Sequence, residues 1–504
     1  MAGNKTKKQN AAEAVVPKDL TPAKLALTAL LLAAGIAAVW LVSLAGFLGT
    51  PVQWLVAILA LMIIGMAIRQ LDGFSGFYGM YMLATEKGLQ YIDGISHRYK
   101  DFWLKMSMWG LVLGFGLMAY PLLKGRINKG EYAFGIVSLI IIMVFVLPFM
   151  QQGLQFIYLP SLQSAVQTAA SSTNTTQLTP LAIITYVIGV VTGFTGYIVA
   201  LLFYITGLNG MRVFDFVGTV TAGSPNPTII QNLIPGVAPL IPGITIPLAA
   251  GLIALVVLLI VHELSHGILS RIYGVKLKSL GLLMLGAIPI GAFVEPNEKQ
   301  VMKLDPLKQT MIFVAGASTN FFAAIVFFLL MIATIAFLLP GIYSPGVFIQ
   351  STVQGYPAAN VLQPGMQVLY WNGYQIKNLS SFGAAAANDL PGHTVTVVTN
   401  KGTYSFNAIS VGGSAKGYIG VNIGTQVATG WYTSFVEFIY AVFVLSFILN
   451  FSVAVVNLLP VPLFDGWRVY KASIRNNNIT KALAAVVGVL LLINVAFLIM
   501  QVSV

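Results

Sequence analysis

Val261-His262-Glu263-Leu264-Ser265-His266-Gly267 closes an apolar run that begins at Ile244 and continues through Ile260. Residues four apart share one face of a helix, so His262 and His266 fall side by side with Glu263 next to them. Imidazoles so placed ligate Zn²⁺, and the neighbouring carboxylate can take a proton from a water that such an ion activates. Two imidazoles and a carboxylate cost several kcal/mol to place in hydrocarbon, which marks the stretch as functional. The first reading is a hydrolase working inside a membrane. The bland alternative is a polar helix end whose imidazoles are satisfied by backbone carbonyls.

Composition supports a membrane setting. Of 504 residues, 57% are hydrophobic and 8% charged, with a mean hydropathy of +0.84. A soluble globular chain is excluded, and a polytopic α-helical membrane protein is expected. The chain has no cysteine, so disulfides and thiolate zinc sites are excluded, leaving histidine and carboxylate as metal ligands. A net charge of +12 would suggest nucleic acid in a soluble chain. Here Lys and Arg cluster beside apolar spans, a pattern of topology and lipid-bilayer contact without nucleic acid.

Nine apolar runs are long enough to span, at Leu25–Leu48, Trp54–Ile68, Met106–Leu123, Phe134–Leu159, Leu181–Leu208, Ile244–Leu269, Met311–Leu339, Phe435–Leu459 and Ala482–Val502. Residues 1–24, with Lys5, Lys7, Lys8, Lys18 and Lys24, read as a basic cytoplasmic tail and not a cleaved signal peptide. Residues 25–208 form N-terminal spans of unknown role. Residues 209–243 are an irregular segment, because Phe214 to Gly243 is rich in Gly and Pro and is expected to be neither a long helix nor a strand. Residues 244–342 and 424–504 are two parts of one catalytic core, split by a polar, alternating insert at 343–423. An inside N-terminus puts His262 and His266 near the cytoplasmic face, where Arg271, Lys276 and Lys278 follow, and puts the insert outside. Lys124, Arg126 and Lys129 disagree with that count, as does the uncharged stretch Ser161 to Thr179.

A catalytic zinc needs a third protein ligand and one open position. Asp465, in Asn457-Leu458-Leu459-Pro460-Val461-Pro462-Leu463-Phe464-Asp465-Gly466, follows the eighth span where two prolines and a glycine break the helix. Spans six and eight finish on the same side, so Asp465 reaches the depth of the histidines. Glu295, in Ala292-Phe293-Val294-Glu295-Pro296, competes for the place and lies only a short loop after His266.

An HExxH helix followed by NxxPxPxxDG resembles the site-2 protease family of intramembrane zinc metalloproteases. The chain departs from the usual pattern at Phe464, where family members carry Leu. The resemblance implies one Zn²⁺ per chain held by His262, His266 and Asp465, with Glu263 as general base and proton shuttle. Gly316-Ala317-Ser318-Thr319-Asn320 resembles the small-residue segment on the family's third core helix. Gly291, Ala292, Phe293 and Val294 resemble the end of a membrane-associated β-hairpin beside the substrate, and with Asn320 they are the expected substrate contacts. Asn457 is a catalytic candidate, as a donor to the scissile carbonyl.

The insert resembles a small α+β PDZ-like domain. Gly355-Tyr356-Pro357-Ala358-Ala359 stands where the carboxylate-binding loop belongs, though Met366 replaces the usual acidic residue. A peptide C-terminus or extended segment added at the domain edge is its expected partner. The expected activity is cleavage of membrane proteins within a transmembrane helix. Rival readings are a prenyl-protein type of membrane zinc protease with a Glu ligand, and a non-catalytic PDZ-bearing receptor.

Overall fold

The computed structural model describes residues 21–45, 50–147, 180–234, 242, 246–412, 414–474 and 476–503. Most of the basic tail, with Lys5, Lys7, Lys8 and Lys18, lies outside these residues, as does Ser161 to Thr179. Nine helices among the described residues are long and apolar enough to cross a membrane. They begin with α1 (Pro22–Leu44), α2 (Thr50–Asp72), α4 (Lys100–Phe115, extended by a 3-10 turn and the short α5, Tyr120–Leu123), α6 (Lys129–Ile141) and α7 (Pro180–Thr221). They continue with α9 (Leu248–Ile272), then, past the short α10 (Glu298–Val301), α11 (Pro306–Ala333), α13 (Trp431–Val456) and α15 (Asn477–Ser503). A helix satisfies its own backbone groups, which hydrocarbon would leave unpaired.

Phe214 to Thr221, expected to be irregular, continues α7 instead. Phe214, Phe216, Val217 and Val220 keep that stretch apolar, and the breakers begin only at Gly223-Ser224-Pro225. A short α8 (Thr228–Gln231) follows, and residues 235–241 and 243 lie outside the described residues.

The chain divides into two compact units, Met1–Phe328 with Val444–Val504, and Leu329–Phe443. In unit one, the expected β-hairpin is only half of a sheet. Strands β1 (Gly76–Phe77), β2 (Met80–Thr85), β3 (Leu277–Leu285) and β4 (Ile288–Pro296) form an antiparallel array in that order. β2 pairs with β3 from Met80↔Leu285 to Thr85↔Leu280, and β3 pairs with β4 through Leu280↔Val294 and Gly281↔Phe293. The reason lies in the backbone: a strand among apolar groups cannot leave both rows of N–H and C=O unpaired, and the N-terminal region supplies the missing neighbour.

Helix α2 grips the turn ends of both hairpins. A Cβ on Gly65 would collide with the carbonyl of Gly79 and the amide of Gly286. The buried Tyr81 donates its hydroxyl to the Gly286 carbonyl at 2.8 Å and stacks on Phe74 with ring centroids 5.4 Å apart. Ile68, Phe74, Tyr81 and Met284 close a small core there. Gly65 lies in the middle of the apolar stretch Leu55–Asp72, so the turn of the β3–β4 hairpin meets the middle of that stretch. Helix α3 (Leu89–Arg98) then packs on α9, bringing Ile92 near Gly267 and pairing Asp93 with Arg271.

Unit two is built on a six-stranded sheet. Its strands are β5 (Tyr343–Thr352), β6 (Gln367–Trp371), β7 (Tyr374–Gln375), β8 (Thr394–Thr399), β9 (Gly402–Asn407) and β12 (Val421–Val427). The order is β12-β5-β6-β8-β9, with β7 beside β6, while β10 (Ile409–Ser410) and β11 (Gly417–Tyr418) pair separately. Helix α12 (Leu379–Ala386) starts in a capping box between Asn378 and Ser381. Val347, Val368, Trp371, Val395, Val397 and Phe406 belong to its core. Trp371 and Asn372 donate to the two oxygens of Asp389 at 2.9 and 2.8 Å. Burial pushes the Asp389 carboxyl above the usual carboxylate range, against the pull of those hydrogen bonds. Strand β12, which begins inside the insert, runs on to Val427.

In Gly355–Ala359, the N–H groups of Tyr356, Ala358 and Ala359 already donate to Val353, Ile419 and Tyr356 carbonyls. Those donors are engaged within the unit.

Candidate metal centre

Helix α9 carries both histidines on one face, as their spacing requires. Their partner arrives from the far end of the chain. After α13 the backbone turns through Leu458 to Phe464, and the Gly466 N–H returns to the Asn457 carbonyl at 2.6 Å. A Cβ on Gly466 would collide with the Leu458 backbone, so this closure needs glycine. Asp465, the first residue of α14 (Asp465–Ser473), is thereby turned onto the imidazoles.

Three ligand atoms converge. Asp465 Oδ2 lies 3.2 Å from His262 Nε2 and 3.1 Å from His266 Nε2, and the two nitrogens are 3.2 Å apart. Tetrahedral zinc with bonds of about 2.0–2.1 Å separates its ligands by roughly 3.3–3.4 Å, so this triangle is close to the required size. The donor set also fits: three lone-pair atoms facing one another this closely need a cation or shared protons between them. His262 is 6% exposed and the His266 side chain 12%, so water does little to screen them.

Helix α11 orients the histidines. With its Nδ1–H donated to the Ile312 carbonyl at 2.8 Å, His266 presents Nε2 to the cluster. The amide of Asn320 lies 3.0 Å from His262 Nδ1, while its Oδ1 is buried without a partner. Amide O and N are distinguished only by their hydrogen bonds, and exchanging them lets Oδ1 accept from His262 Nδ1–H. Nε2 of His262 is then also a bare lone pair facing the centre. Between Ile312 and Asn320, a Cβ on Gly316 would collide with both imidazoles.

Ile312, Gly316 and Asn320 thus form one face of α11, four residues apart. Asn320, expected among the substrate contacts, lies against His262. The signal that could have located this role is the helical period from Gly316 to Asn320.

The other candidates separate clearly. Glu295 accepts from Lys278 Nζ at 3.0 Å and Ser279 Oγ at 3.2 Å and stands outside the ligand cluster. Among the described residues, His262, His266 and Asp465 are the group able to hold a metal. Asn457 Nδ2 lies 3.4 Å from His262 Nε2, beside the centre. Glu263 reaches β4, where the Val294 N–H donates to its Oε2 at 3.3 Å. Val294 packs on Gly267 of α9, and Phe293, one residue earlier, lies over Gly281 of β3. Gly291 and Ala292 continue β4, half-buried. β4 is the last strand of its sheet, so its outer edge runs past the general-base candidate.

Apolar spans enclosing a two-histidine, one-aspartate cluster beside a helical glutamate are what a membrane-integrated metallopeptidase requires. Residues 250–500 match peptidase family M50, and over this half the chain belongs to that family, the site-2 proteases. The chain is also 28% identical over 232 residues to an uncharacterized protein of Methanocaldococcus jannaschii, a match covering 46% of this chain. The chain spans 58% of that relative's length.

Proposed function

We propose that the chain is a zinc-dependent intramembrane endopeptidase that cleaves membrane proteins within a transmembrane segment. The observation that carries this reading is the triangle of His262, His266 and Asp465 with Glu263 turned to the free edge of β4. His262, His266 and Asp465 would hold a zinc ion, which would supply Lewis-acid activation of water and polarisation of the scissile carbonyl. A helical amide is hydrogen-bonded and shielded, so the substrate must be drawn out as a strand. The outer edge of β4 at Ala292, beside the Val294 N–H that Glu263 holds, offers main-chain groups for that strand. Glu263 takes the proton of the attacking water and passes it to the departing amine. Asn457 Nδ2 donates to the carbonyl oxygen as negative charge develops there. The Lys and Arg that follow α9 favour an opening at the cytoplasmic side.

The test is cleavage of a transmembrane substrate in proteoliposomes by the full chain and its Glu263→Gln variant. Loss of cleavage with zinc content retained supports the proposal, and full cleavage by the variant sinks it. The position of Glu295, engaged by Lys278 and Ser279, disfavours the prenyl-protein type of site. An intact Glu263 disfavours a non-catalytic receptor, which has no use for a base. Unit two is read as a PDZ-like peptide-binding module whose edge strands, β9 and β12, are open to strand addition. Binding of extended peptides to the full chain, lost on substitution of edge residues, tests that part.

A further inference from the structure

A cavity of about 410 Å³ begins where β4 ends. Pro296, the last residue of β4, forms part of its wall, and the buried Phe313, next to the Ile312 that fixes His266, forms another. Pro462 and Trp467, on either side of Asp465 in the chain, also line it. The cavity thus touches both the end of β4 and the metal-ligand loop. Its size lies in the lower part of the roughly 300–1,000 Å³ range of ligand pockets.

Two cations line this cavity, both on its solvent side, with 54% of the Arg468 side chain exposed and Lys471 exposed as well. The Arg468 guanidinium lies 5.6 Å from the Phe313 ring centroid, and the Lys471 ammonium lies 5.8 Å from that of Trp467. The carboxylate present is Glu298, 3.5 Å from Arg468 and 77% exposed, a contact that solvent screens heavily. Among the described residues Lys471 has no carboxylate partner. The charge balance favours an anion, and the aromatic and proline walls favour the carbon stem that carries it.

Pro296 has no N–H, so the ladder a substrate can build on β4 stops there. From Val294, which touches Glu263, to Pro296 is two residues, or about 7 Å of strand. We propose that this cavity is a specificity subsite for an acidic side chain of the substrate, two or three residues from the scissile bond in the direction of Pro296. The assignment rests on the endopeptidase reading given above.

The test uses the zinc-loaded full chain in neutral phosphatidylcholine vesicles. One transmembrane substrate is made with Glu, Gln or Lys at the second and third residues on that side of the cleaved bond. Wild-type kcat/KM favours Glu over Lys by about threefold to tenfold. Arg468→Glu with Lys471→Glu reverses the order, and the Gln pair flattens it. Affinities of the same substrates for the Glu263→Gln chain follow the same pattern. They therefore read the subsite even if no turnover occurs, in which case the endopeptidase reading fails separately. Equal Glu and Lys values in wild type overturn the proposal. So does a uniform loss for all substrates with a dependence on added phosphatidylglycerol, which would assign the cations to a lipid headgroup.

Discussion

The sheet of unit two closes a hydrophobic core of its own, whereas the four strands of unit one do not. Along β8 the burial alternates, with Val395 and Val397 buried, and the inward side chains meet those of neighbouring strands. Every residue of β4 is half-buried, and its stability comes from α2 at the turn, from α9 along one face and from β2 at the far edge of β3. A self-sufficient sheet keeps its shape through its own side chains. The sheet of unit one is held from outside, which leaves the outer edge of β4 open beside Glu263.

The largest effects should break unit one's chemistry and leave unit two intact. Glu263→Gln should lower kcat by about 10²–10⁴-fold with zinc content unchanged. Asp465→Ala should abolish zinc binding, read by metal analysis of the purified chain. Neither change should alter hydrogen exchange around Trp371. Asn320→Leu removes the acceptor for His262 Nδ1–H and should weaken zinc affinity about 10–100-fold, measured by chelator competition.

A matched pair of smaller changes sharpens the contrast. Tyr81→Phe strands the Gly286 carbonyl and should cost about 1–3 kcal/mol, appearing as faster hydrogen exchange in β2 and β3 and a reduced kcat. Trp371→Phe takes a donor from Asp389 at a similar cost of about 1–3 kcal/mol, and its faster exchange should stay within unit two with zinc stoichiometry unchanged. The smallest effect is expected for Glu295→Gln, which loses an ion pair with the half-exposed Lys278 worth about 0–1 kcal/mol. Zinc content should be unchanged, and a loss of metal would restore Glu295 as the third ligand.

How much could be read beforehand depended on the range of the interactions. His262 and His266 declare themselves because their pairing is set within one helical turn. Asp465 could be nominated by its helix-breaking surroundings, but Glu295 stayed a rival, since convergence across some two hundred residues leaves no local trace. Gly65, Gly79, Tyr81 and Gly286 meet only after α2 and the two hairpins are assembled, so the N-terminal strands went unread. The pattern Gly76-Phe77-Tyr78-Gly79-Met80-Tyr81 held the only hint of a turn between strands there. Trp467, Arg468 and Lys471, just beyond Asp465, carry no local sign of the end of β4, which only the assembled fold brings to the same cavity.

By itself the sequence determined a chain built of apolar spans, a histidine pair with its glutamate on one of them, and a polar β-rich insert. These follow from hydropathy and from the 3.6- and 2-residue periods, which are properties of neighbouring residues. Tertiary structure alone decided which carboxylate completes the cluster, that Asn320 serves a histidine, and that β1 and β2 seal one edge of a sheet whose other edge passes Glu263. Each of those depends on distances of about 3 Å between atoms far apart in the chain, and only packing sets such distances.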